Sequence, residues 1–224
     1  MSSIFCPQVR MSADTSGAYY AGKDGDIVLI VDVIDMSTTI ECAIEAGCTG
    51  FYGAAPDHVN PPVPVNPEKI GYKVGIESIQ KKSPILIVSE PRWGTEKDLQ
   101  RNTKKVVMGI INAGGVIEGF VPNLGRSTVE LCDFRNRLVI GVTDSGGTAF
   151  DAAFNSGGIV LTGTVARTIN KKGVLPALIA AKRAIEVAVK KKKNITVIAA
   201  SANSLEDILA AQYITQKILE QTRR

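Results

Sequence analysis

The chain has 224 residues, of which 45% are hydrophobic, enough for one sizeable core around a single domain spanning residues 1–224. A formal net charge of +4 and an aromatic content of 5% leave neither the basic field nor the stacking platforms of a nucleic-acid binder. The four cysteines, Cys6, Cys42, Cys48 and Cys132, lack any C-x-x-C spacing, which argues against a zinc site or disulfide framework and fits a cytoplasmic setting. No apolar run approaches membrane-spanning length.

Residues 1–25 are polar and glycine-punctuated, and read as an arm or a short edge hairpin. The stretch Ile27 to Ile34 is apolar and β-branched, as a central strand covered on both faces would be, and Asp32 interrupts it. A carboxylate there must be hydrogen-bonded, paired or opened to a pocket. Asp35 to Thr39 then supplies hydroxyls and free amides where a helix over Thr39–Ala46 begins, a place that suits anions. Thr49–Ala54 reads as a short strand. Pro56–Pro67 carries five prolines and reads as a loop, with the lone His58 as a surface residue.

Lys69–Gln80 is amphipathic, and Ile85–Ser89 is a strand ending in Glu90, Pro91 and Arg92. Thr95–Ala113 reads as one helix. A strand over Leu138–Thr143 leads through Asp144–Thr148 into a helix over Ala149–Phe154, and a strand over Gly158–Thr162 leads into a long helix over Gly173–Val189. The last unit is a strand over Ile195–Ala200 and a helix over Leu205–Gln221, with Ser204 as its cap and Glu206 and Asp207 in its first turn. This alternation predicts an α/β fold, a three-layer α/β/α sandwich with a mixed, largely parallel sheet. No repeat of fixed period is evident.

Four strand ends thus carry polar clusters: Asp32 with Asp35, Glu90 with Arg92, Asp144 to Thr148, and Ser201 to Asp207. If the strands are parallel neighbours, these clusters meet in one crevice. Acids, hydroxyls, amides and arginine together suit Mg²⁺ and a phosphate ester. Asp32 is the foremost catalytic candidate, since desolvation and neighbouring acids would perturb it. The bland alternative for each residue is helix capping.

Six segments resemble the magnesium-dependent 2-phosphosulfolactate phosphatases of coenzyme M biosynthesis, the ComB-like proteins. They are VDVIDMSTTIECAIEAG from Val31, SEPRWG from Ser89, GFVPNLGRSTVE from Gly119, VTDSGGTAF from Val142, GTVART from Gly163 and SLEDILAAQYI from Ser204. The resemblance implies hydrolysis of the phosphate ester of a small acid by a homo-oligomer acting on a small anionic substrate; composition leads to the expectation of no nucleic-acid or membrane partner. It places Asp32 and Glu90 at the catalytic centre, Arg126, Ser127, Gly147, Thr148 and Arg167 on the substrate, and Asp32, Glu206 and Asp207 on Mg²⁺. The chain departs from the family pattern where Asp35 and Met36 replace Arg and Ala, at Arg126 and Thr128, and across Gly146 to Ala149. The alternative carried beside this reading is a non-catalytic anion-binding or assembly protein on the same fold.

Overall fold

A computed structural model of the protein describes residues 5–222. In chain order the elements are β1 (Val9–Ala13), α1 (Asp14–Lys23), β2 (Ile27–Val31), α2 (Met36–Glu45), β3 (Gly50–Ala54), α3 (Pro67–Lys81), β4 (Ile85–Ser89), α4 (Glu96–Gln100) and α5 (Lys104–Asn112). They continue with β5 (Ile117–Pro122), a 3₁₀ turn (Gly125–Glu130), β6 (Leu138–Val142), α6 (Gly146–Asn155), β7 (Ile159–Gly163), α7 (Leu175–Lys191), β8 (Ile195–Ala199) and α8 (Leu205–Thr222).

The strands form two four-stranded sheets, ordered β1-β8-β2-β7 and β3-β6-β4-β5. The α/β/α class expected from the alternation holds. Every pairing among the described residues is parallel, where the sequence left room for a mixed sheet. β2, β4, β6 and β8 are buried at every position, as near-continuous apolar runs require. Alternate residues feed different layers. Ile27, Leu29 and Val31 pack with α7 and α8, Val28 and Ile30 join a core with α1, α2 and α6, and Ile85, Ile87, Leu138 and Ile140 pack with α3 and α5. No helix among the described residues is long and apolar enough to cross a membrane.

Two expectations are corrected. The segment read as an arm or hairpin contains an edge strand and a helix, β1 and α1; residues 1–4 of it lie outside the described residues. The helix α1 lacks a strong apolar period because its buried face is Ala18, Ala21 and Gly22. A Cβ on Gly22 would stand 2.5 Å from the Ala153 carbonyl of α6, so small size, not hydrophobicity, seats this helix. The helix expected over Thr95–Ala113 is broken at Arg101–Thr103 into α4 and α5.

The chain also repeats itself in three dimensions. Exchanging β1 with β5, β2 with β6, β3 with β7 and β4 with β8 turns one sheet order into the other. Local details follow the exchange. The turns after α2 and α6 share one pattern of bonds, Ala46 to Cys42, Gly47 to Ile44 and Cys48 to Ala43 against Ser156 to Ala152, Gly157 to Phe154 and Gly158 to Ala153. Helices α3 and α7 each carry proline in the first turn and end on a lysine, Lys82 or Lys192, in the left-handed conformation.

One contact between α3 and α5 depends on glycine. A Cβ on Gly109 would lie 2.0 Å from the Glu68 carbonyl, and one on Gly71 would lie 2.1 Å from that of Val106. Backbone cannot yield as a side-chain tip can. Gly109→Ala, despite its better helix propensity, is expected to destabilise by about 2–3 kcal/mol and lower the melting temperature by roughly 5–10 °C, read by thermal unfolding.

Candidate functional site

The parallel strands deliver their carboxyl ends, and the acids that follow them, to one region. Asp32 follows β2 and is 4% exposed. Its backbone N–H donates to the Ser37 hydroxyl at 3.0 Å, fixing the turn into α2, and its Oδ2 accepts from the Gly146 N–H at 2.9 Å. That bond ties the end of β2 to the start of α6, across the two sheets. Burial, then the charge of Asp207, pushes the Asp32 carboxyl up to about 7 against the pull of Gly146; Glu90 and Asp35 add to the rise. Asp32 therefore stands among three other acids, with no ion-pair partner among the described residues.

Glu90 follows β4 and is half-buried. Burial and the charge of Asp144 raise its pKa, while the Asn123 amide and Arg92 oppose the rise. Arg92 forms an ion pair with Asp35, whose pKa is nevertheless raised by burial. A cleft of about 360 Å³ opens over the ends of β3, β4 and β6, bounded by His58, Glu90, Arg101, Asn102 and Asp144.

His58 enters this cleft from the proline-rich loop, with its Nε2 3.2 Å from Asp144 Oδ1. Sequence reasoning assigned it to the surface; it is half-exposed, but at the mouth of the site. The loop is held by one buried and one partly exposed anchor. Asp151 of α6, 0% exposed, accepts from the Ala55 N–H at 3.1 Å and the Asn66 N–H at 2.6 Å, and Asp57 accepts from the Lys104 N–H at 2.7 Å. An acid inside an apolar helical run, as in Ala149–Phe154, is the signal that could have revealed the anchor.

The remaining predicted residues are placed less centrally. Gly147 donates its N–H to the Thr143 hydroxyl at 2.8 Å, and Thr148 gives both its N–H and its hydroxyl to the Thr143 carbonyl. With Gly146 on Asp32, the first amides of α6 already have internal partners. A Cβ on Gly147 would stand 2.4 Å from the Ala54 carbonyl, so this glycine serves close packing. Arg126 is half-buried and lies near Cys42 of α2, whose thiol it pulls down against the larger effect of burial. Ser127 and Arg167 are exposed. Asp207 is buried and accepts from the Val33 N–H at 2.8 Å, whereas Glu206 is exposed beside the Ser204 hydroxyl at 3.2 Å.

Among the described residues, no three His, Cys, Asp or Glu side chains are grouped as a metal cage. Asp32 and Glu90 nonetheless offer hard oxygen donors in an acid-rich setting, and Mg²⁺ is commonly held by one or two carboxylates completed by water and substrate phosphate. No model of a known protein family matches the chain, and no curated protein matches it.

Proposed function

We propose that this protein is a Mg²⁺-dependent phosphatase that hydrolyses the phosphate ester of a small acid, 2-phosphosulfolactate or a related compound. The observation that carries the reading is the meeting of Glu90, Asp144 and His58 at one cleft beyond the carboxyl ends of different strands, with Asp32 close enough for the charge of Glu90 to raise its pKa. In this reading Asp32 would hold the ion, which would supply charge neutralisation to the phosphoryl oxygens. Glu90, with its raised pKa, takes the proton of the attacking water. His58, oriented by Asp144, gives a proton to the departing alkoxide, and Arg101 meets the phosphate. The same reading places the protein in the cytoplasm as a homo-oligomer.

Phosphate release over a panel of phosphorylated small acids, with and without Mg²⁺, tests the proposal; no turnover on any of them counts against it. Glu90→Gln is expected to lower kcat about 100-fold, and His58→Ala about 10- to 100-fold on alkyl phosphates but far less on p-nitrophenyl phosphate, which needs no proton on departure.

One observation favours a second reading. Because Gly146, Gly147 and Thr148 have spent their N–H groups internally, α6 offers no open amide cradle for phosphate, as fits a non-catalytic binder of another anion. Thermal stabilisation by phosphates, sulfonates or carboxylates without product would identify it.

A further inference from the structure

The internal repeat exposes a difference between the two halves of the molecule. In the second half, α8 runs unbroken over 18 residues and packs along β1 and β8. Its counterpart is interrupted at Arg101–Thr103, and the far piece, α5, is drawn onto α3 through the backbone contacts of Gly71 and Gly109. Beside β5, the outer strand of its sheet, this leaves a groove of about 550 Å³.

Its floor is apolar. Val107, Ile117 and Phe120 are half-buried, each packed on the core from one side. Its rim is cationic, with Lys97, Arg101 and Lys104. Arg101 is paired with Asp98 at 2.9 Å, whereas neither Lys97 nor Lys104 has an ion-pair partner among the described residues. Two exposed positive charges above an aromatic and aliphatic floor match a ligand with a flat apolar body and an anionic end, and the volume is that of an ordinary small-molecule site.

We propose that this groove binds a small amphipathic organic anion, its planar body against Phe120, Val107 and Ile117 and its charged group between Lys97 and Lys104. The groove adjoins the acid cleft and shares Arg101 with it, but its floor and its free lysines lie outside the cleft, and the proposal does not depend on phosphatase activity.

Isothermal titration with 2-naphthoate, with neutral 2-naphthamide and body-less acetate as controls, tests it on the full chain. The expected result is saturable binding of one 2-naphthoate per chain, with both controls weaker by about tenfold or more. The double variant Lys97→Ala/Lys104→Ala, at exposed positions, should keep the circular dichroism spectrum and melting temperature but weaken 2-naphthoate by about fivefold or more. Phe120→Ala should weaken 2-naphthoate and 2-naphthamide alike. Absence of saturable binding, equal binding of naphthoate and naphthamide, or unchanged affinity in the double variant would each overturn the proposal. Binding is read without turnover, so phosphate release succeeds or fails independently.

Discussion

Asp32→Asn should make the protein more stable at pH 8 while sharply lowering the proposed phosphatase activity. The side chain is buried and its carboxyl is raised to about 7 from an ordinary value near 3.8. Between those values the folded protein holds a proton that the unfolded chain has released, so stability falls as pH rises through this window. Above it, keeping the carboxylate charged in place costs on the order of 4 kcal/mol. Asparagine removes the charge and keeps an oxygen to accept from the Gly146 N–H. The expected gain is about 2–4 kcal/mol at pH 8, or roughly 5–10 °C in melting temperature, shrinking towards zero near pH 4 as the native acid takes up its proton. Thermal unfolding of both proteins from pH 4 to 8 measures this directly. A stability difference that does not change with pH would mean that Asp32 is compensated by a partner. Phosphate release should fall about 100-fold or more in the same variant, the trade between stability and function expected of a strained acid.

The second large effect belongs to Asp151→Ala. This carboxylate accepts from the Ala55 and Asn66 backbones and from the Asn155 side chain at 2.7 Å. Alanine leaves these donors without their acceptor in a buried place, at a cost of about 3–5 kcal/mol and roughly 10 °C in melting temperature. Asparagine at the same position keeps one accepting oxygen and should lose about half as much. The damage should be local before it is global: amide exchange should rise across residues 55–66 while β2 and β6 stay protected. Since His58 travels with that loop, the proposed phosphate release should drop about tenfold. Unchanged exchange in the loop would show that Asp57, on the Lys104 and Lys105 amides, anchors it alone.

What the sequence made legible was what short-range chemistry determines. The strands over Ile27–Val31, Ile85–Ser89, Leu138–Val142 and Ile195–Ala199 are wholly buried, and their β-branched runs say so. Asp32 stood out because one acid in such a run must be accommodated, and the fold places it among other acids. The break between α4 and α5 was invisible because no proline or glycine marks it; the new helix is capped by Asp57, a residue distant in the chain. His58 is exposed, as expected, but its place at the cleft was hidden for the same reason. It lies in a proline-rich stretch between Asp57 and Val59, and its partner Asp144 comes from beyond the end of another strand. The repeat escaped notice because its halves share geometry and few residues. The resemblance put Gly147 and Thr148 on the substrate, yet their amides are bonded to Thr143.

The exchange that relates the halves also interleaves them. One sheet takes β1 and β2 from the early chain with β7 and β8 from the late chain, and the other places β3 and β4 beside β5 and β6. Neither piece of a protein cut between β4 and β5 can complete a sheet alone. During synthesis the opening strands must wait for the last ones to leave the ribosome, whereas separately produced fragments, once mixed, hold complementary edges through which to reassemble.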